Sequence, residues 1–361
     1  MNWRVMDSMK GIENAMTLAA VKRGEEILVL TDTQAEPEVA EALLAASRAR
    51  GAEANLMLMP VLPRFGQEPP TMVSEAMKAA DVVFIVLTVH FGHAAAMYDA
   101  LAEGSRCLLM LNSLEPLAGP GAKFPMQVIF KLFELVFEQW YNGKTLHITC
   151  DRGSDLTAQI VKPQNVVGGP MSPIEPGTWE AFVGGTGDVG LWPGWTGDGI
   201  LIFDGCEQAF PDEYPLKTPL KFTYKEGRVV KVEGGDRQVR FYEDLFTKHP
   251  DANHFGEIMV CLNPHSRTDQ SIEEATRHAG CVHFAVGMGV DLYKDPRDRT
   301  TVKDPEVKPL DEKGNTLHFD NLMLTPTLTV DGEPCVENGR LVALDDAEVV
   351  ALAHELGVPL E

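Results

Sequence analysis

The alternation of apolar and polar positions changes character about 145 residues into the chain. Before that point short apolar runs alternate with stretches whose apolar residues recur every three or four positions. "EILVLTD" (26–32) predicts a strand, and "EPEVAEALLAASRARG" (36–51) a helix with Pro37 in its first turn and a closing Gly51. "AEANLMLMP" (52–60), "DVVFIVLTV" (81–89) and "SRCLLMLN" (105–112) predict further strands. "PTMVSEAMKAA" (70–80) and "AAAMYDALAEG" (94–104) predict the intervening helices. Strand and helix in strict turn imply a parallel sheet with crossover helices.

Beyond residue 145 the β-like runs are joined by Gly- and Pro-rich connections: "KTLHITC" (144–150), "DGILIFDG" (198–205), "GEIMVCLNP" (256–264), "CVHFAVGMG" (281–289) and "TLHFDNLMLTPTLTVDG" (316–332). "LKFTYKEGRVVKVEGG" (220–235) predicts a hairpin closed by Glu-Gly. Helices are expected at "SIEEATRHAG" (271–280), capped by Ser271, and at "DDAEVVALAHELG" (345–357). The fold class is therefore α/β: a doubly wound parallel-sheet domain over 1–145, then an α+β metal-binding domain over 146–361 with a mixed or antiparallel sheet.

Composition narrows the partners. The 361 residues carry 53 acidic and 31 basic side chains, a net charge of -22 that repels nucleic acid and anionic membranes alike. Six cysteines form no CxxC pair and the N-terminus has no secretory pattern, which fits a reduced cytoplasm. The apolar run "FPMQVIFKLFELVFEQWY" (124–141) is interrupted by Lys131, Glu134 and Glu138, so it predicts an amphipathic helix and no membrane span. "LTDTQAEPE" after the first strand lacks the GxGxxG spacing, which argues against a dinucleotide site. A small-molecule substrate is the expected partner.

Chemistry concentrates in the second half. In "NTLHFDNLML" (315–324) a strand turns His318 and Asp320 to one side and Leu317, Phe319 and Asn321 to the other. Glu257 heads an apolar run, His283 sits inside one, and Glu180 lies in "PGTWEAFVGG" (176–185), read as loop-like. Taken singly, each has a structural explanation: a strand histidine donates to a carbonyl, and a lone glutamate is half exposed. As a set of imidazoles and carboxylates they are costly to desolvate unless a cation compensates them. Nitrogen and oxygen donors without a thiolate suit one or two Zn, Mn, Co or Fe(II) ions.

The segments "GSDL", "PGTWEAF", "GILIFDG", "GRVVKVEGG", "GEIMVCLNP", "VHFAVG" and "LHFD", in this order, resemble the C-terminal half of the aminopeptidase T-type metallopeptidases. The same superfamily includes the Fe(II)-dependent 2,5-dihydroxypyridine dioxygenases, which share the Trp-bearing "PGxW" segment. The peptidase resemblance implies metal ligands at Glu180, Glu257, His283, His318 and Asp320, and a homodimer. The dioxygenase resemblance implies one iron held by His318, Asp320 and the Glu257 position, where that family has histidine. Glutamate at 257 and the retained His283 favour the hydrolase. Against it, Val290 stands where the peptidases carry tyrosine, with Tyr293 three residues on, and "PGTWEAF" is closer to the ring-cleaving branch.

The sequence reading is a metal-dependent hydrolase of an amide-like bond. Glu180, or His254 or His265 flanking Glu257, would move the proton for a metal-activated water. Its alternative is the ring-cleaving Fe(II) dioxygenase, and a third reading is a binding protein with a structural cation. Trp179, Trp192 and Trp195 suggest an aromatic pocket for a flat substrate. The polar stretch 294–315 reads as a cover or a solvated loop.

Overall fold

The computed structural model describes residues 3–160, 166–168, 173–182, 189–191, 197–207, 209–210, 213–269, 272–287, 292–294, 301–303 and 317–361. Ser271, Val290, Trp192, Trp195 and most of 294–315 lie outside them. The chain clusters into two compact units. The first comprises Met1–Ile129, Pro170–Thr186 and Pro309–Thr316; the second comprises Phe130–Gly169, Gly187–Lys308 and Leu317–Glu361.

The first unit is built on a five-stranded sheet in the order Glu53–Met59, Glu26–Asp32, Val82–Val86, Arg106–Leu109, Trp179–Ala181. Every pairing in it is parallel. Val82 to Val86 are all buried because helices cover both faces of a parallel sheet, which is why this strand reads as an unbroken apolar run. The helices Pro37–Ala49, Thr71–Ala79 and Ala95–Ala102 are the expected crossovers. Pro37 stands at the first helical position, and Gly51 takes φ +83° just after the helix.

One element differs from the sequence reading. Trp179–Ala181, read as loop-like, is the fifth strand of this sheet. Three residues are too few to show alternation. The strand forms because the edge of Arg106–Leu109 offers unpaired backbone groups: Cys107 N–H donates to Thr178 O at 3.2 Å and Phe182 N–H to Leu109 O at 2.7 Å.

The second unit holds two larger sheets, both antiparallel. One runs Arg228–Glu233, Leu220–Lys225, Gly197–Phe203, Asp155–Gln159, Thr145–Thr149, Thr327–Val330, Glu333–Glu337, Arg340–Leu341. Its predicted hairpin closes through Glu226 and Gly227, both at positive φ (51° and 74°). The other runs His318–Met323, Val282–Gly287, Phe255–Val260, Val189–Leu191, Val166–Gly168. Between the sheets lies an aromatic core. Phe203 packs on Phe222 and on Phe284 at 5.4 Å each, and Phe222 meets Tyr242 at 4.9 Å.

The helix expected at 271–280 is limited to Ile272–Ala275 among the described residues, and its buried Glu274 pairs with Arg267. The expected last helix spans Ala347–Leu356: Asp346 caps it by accepting from Glu348 N–H and Val349 N–H, and Gly357 closes it at φ +68°.

Candidate metal centre

Register on the smaller antiparallel sheet explains the site. Across the central strand Val282–Gly287, His318 lies opposite Gly287, Asp320 opposite Ala285, and Leu322 opposite His283. On its other side Glu257 lies opposite Ala285 and Met259 opposite His283. Directly opposed residues share a face, so Glu257, His283, His318 and Asp320 all stand on one side of the sheet. The other side carries Ile258, Phe284 and Asn321 into the aromatic core.

A β-bulge between Phe255 and Glu257 shifts the register at the site's border. Bulges re-aim side chains, and here the residue brought opposite Ala285 is a carboxylate.

The donor atoms converge. His318 Nε2 is 3.1 Å from Glu257 Oε1 and 3.1 Å from Asp320 Oδ1. His283 Nε2 reaches the same Glu257 Oε1 at 3.3 Å. One donor atom each from Glu257, His318 and Asp320 lie within 4.8 Å of one another. His283 adjoins that trio through Glu257. Glu257, His283 and His318 are buried, while Asp320 keeps 18% of its side chain open, the side from which solvent reaches the group.

Electrostatics follow from this packing. Burial works against ionising Glu257, but the His318 and His283 imidazoles beside it hold its carboxyl well below the usual carboxylate range. Burial likewise disfavours imidazolium at His318, yet Glu257 and Asp320 flank it and keep the ring protonated well above the ordinary histidine value. Burial also opposes the charge on Asp320, and His318 lowers it nonetheless. The protonated ring thus offsets one of the two carboxylate charges and leaves the trio one negative charge in excess. A divalent cation fits the same place: it compensates the same two carboxylates, and a neutral imidazole is a good ligand.

Two small residues shape this face, one between the carboxylates and one where the backbone closes in. Ala285, fully buried, sits between Glu257 and Asp320, so that only a methyl group separates the two carboxylates. Gly287, opposite His318, takes φ +112°, and a Cβ there would lie 2.4 Å from the Leu317 carbonyl oxygen. Neither was singled out from the sequence. The available signal was small residues at the parity of His283 in "VHFAVG".

The remaining site candidates have the following local surroundings. Glu180 is buried in the Trp179–Ala181 strand of the first unit, its Oε1 accepting from Ala181 N–H at 2.9 Å. His254 forms an isolated bridge with Arg228, and its carbonyl accepts from Gly287 N–H at 3.1 Å. The ring of His265 hydrogen-bonds through Nε2 to the Pro359 carbonyl at 2.9 Å. All six cysteines are free, and none contributes a thiolate to the trio. No helix among the described residues is long and apolar enough to cross a membrane.

A parallel α/β unit followed by antiparallel sheets bearing an imidazole and two carboxylates on one face defines a metalloenzyme-like chain. The family model for 2,5-dihydroxypyridine 5,6-dioxygenase (NicX) matches residues 7–258, most of the chain, and the chain belongs to that family. The match includes Glu180 and Glu257 and ends before His283, His318 and Asp320. No curated protein sequence matches the chain. The fold is similar to that of 2,5-dihydroxypyridine dioxygenase from Pseudomonas putida KT2440, with a TM-score of 0.74 at 18% identity, covering 96% of this chain and 99% of that one. It is also similar to AmpT from Thermus thermophilus, with a TM-score of 0.56 at 13% identity and coverage of 93% and 99%.

Proposed function

We propose that this chain is an Fe(II)-dependent dioxygenase that opens a hydroxylated, flat ring substrate of the dihydroxypyridine kind. Family membership over residues 7–258 is the observation that carries the reading. It reverses the order of the two activities expected from the sequence, where glutamate at 257 favoured hydrolysis. Bound iron would supply the one-electron chemistry toward O₂ and a chelation point for adjacent hydroxyl groups.

The chain's own residues do the rest. Glu257, His318 and Asp320 would hold the ion from one face, leaving the opposite face to ligands. Glu257 Oε1, within hydrogen-bond reach of His283 Nε2, orients that ring. Asp320, on the open side, is the donor that substrate and solvent meet first. The metal-ligand role that the resemblance implied for Glu180, and the proton transfer read for it from the sequence, are part of this proposal, as is the homodimer; Glu180→Gln in activity and metal-binding assays and sedimentation test them.

A second reading keeps one specific observation in its favour. Two carboxylates with one imidazole, and a second imidazole on the bridging carboxylate, is also a donor set for hydrolytic Zn, Mn or Co. Anaerobic purification, metal analysis and oxygen-electrode assays separate the two. About one Fe(II) per chain and O₂ uptake on adding 2,5-dihydroxypyridine support the dioxygenase. About two Zn, Mn or Co per chain, with amide hydrolysis and no uptake, overturn it.

A further inference from the structure

The strand His318–Met323 presents its ligands on one face and Asn321 on the other, where a second set of buried polar groups lies in the aromatic core. Glu207, Tyr242 and Asn321 are each fully buried. Tyr242, on the helix Asp236–Lys248, donates from Oη to Glu207 Oε1 at 2.8 Å and lies 3.5 Å from Asn321 Oδ1. Ala209 N–H also donates to Glu207 Oε1 at 2.8 Å. Asn321 in turn donates from Nδ2 to the Phe319 carbonyl at 3.1 Å. Phe319 is the residue between the two ligands His318 and Asp320.

The backbone repeats this clamp. Glu207 and Asn321 form an isolated antiparallel bridge. Leu322 N–H donates to Cys206 O, Asp204 N–H and Gly205 N–H donate to Leu322 O, and Leu324 N–H donates to Asp204 Oδ1. A buried carboxyl is a costly way to pin a loop to a strand, since an amide or an apolar residue would avoid the desolvation. No described group partners Glu207 Oε2. Burial raises the Glu207 carboxyl to about 8, and Tyr242, Ala209 N–H and Arg237 only partly offset this against the push from Glu213. A network at such cost, ending on the peptide between two ligands, has a function beyond packing.

We propose that Glu207, acting through Tyr242 and Asn321, is a positioning residue that sets the backbone between His318 and Asp320 and so the spacing of their donor atoms. The inference rests on the metal-centre reading above and deepens it. Ligand-orienting partners behind a metal site govern affinity and coordination geometry without touching the ion.

Co(II) serves as the probe, because its visible spectrum reports coordination geometry. The full chain is stripped of metal, titrated with Co(II), and compared with Tyr242→Phe, Glu207→Leu and Glu207→Gln, with thermal melts of each apo protein. Tyr242→Phe keeps the ring packing and removes only the link. It should weaken Co(II) binding on the order of tenfold and alter the spectrum. Glu207→Leu should do the same, while Glu207→Gln, which keeps an acceptor for Tyr242 and Ala209, should stay within roughly threefold of the parent. Tyr242→Phe with parental affinity and spectrum overturns the positioning role, as does Glu207→Gln failing as badly as Glu207→Leu. A parent chain that binds no Co(II) overturns the metal-centre reading and this inference with it.

Discussion

His318 occupies the middle of the group, within 3.1 Å of both Glu257 and Asp320, so removing it leaves a buried and a half-buried carboxylate beside each other. His318→Ala and Asp320→Ala should each cost more metal affinity than the ~10–100-fold that a ligand's hydrogen-bond partner costs, with the far-ultraviolet spectrum unchanged. Parental metal affinity in either variant would sink the assignment. Glu207 gives the pH dependence. Its carboxyl titrates near 4.5 in the unfolded chain and about 8 in the folded one, so the folded state holds the proton more tightly. Its contribution to stability is complete below about pH 4.5 and is lost as pH rises through about 8, at roughly 1.4 kcal/mol per unit across that window. Glu213, Arg237 and Tyr242 face this carboxyl, and none of them removes the asymmetry. Denaturant melts at pH 5 and pH 8 should therefore show a smaller fall for Glu207→Gln than for the parent; parallel falls would refute it.

At the level of the strand, the site depends on what stands between its ligands. Ala285→Val suits a strand intrinsically, but its two added methyl groups enter the gap between Glu257 and Asp320. The expected result is loss of metal binding with a stability cost of about 1–3 kcal/mol, read by titration and melting. Gly287→Ala forces a Cβ onto the Leu317 carbonyl at positive φ and should destabilise by about 1–3 kcal/mol. An unchanged melting temperature would show that the strand end relaxes freely. The parity of "LHFD" was legible in the sequence because a strand has a strict period of two. The bulge ahead of Glu257 was not, since it arises from the pairing of two strands 26 residues apart in their site positions. The strand Trp179–Ala181 was hidden for a related reason: a three-residue edge strand is made by its neighbour, not by its own pattern.

For the whole molecule, the His318 ring, held protonated between Glu257 and Asp320, offsets part of their charge without an ion, so metal loss need not be fold loss. Chelation should abolish turnover while the circular dichroism spectrum stays that of a folded chain, and Fe(II) added back without oxygen should restore activity. Unfolding on chelation would instead mark the ion as structural. The division into units is interleaved: the described stretch 173–182 belongs with the first unit although it follows the start of the second. Local patterning carries no such information, because each run of residues reports its own period and not the sheet it joins.

The sequence by itself determined the parallel α/β alternation of residues 26–112, the Glu-Gly hairpin, the presence of the last helix and the shared face of His318 and Asp320. All of these follow from periodicity and turn chemistry acting over a few neighbouring residues. Only the tertiary structure decided that Glu257 and His283 join that face across the sheet, that Ala285 keeps only a methyl group between the carboxylates, that Gly287 admits the Leu317 carbonyl, and that Asn321 turns to a buried acid behind it. Those outcomes depend on strand register, and register is settled by packing among segments far apart in the chain.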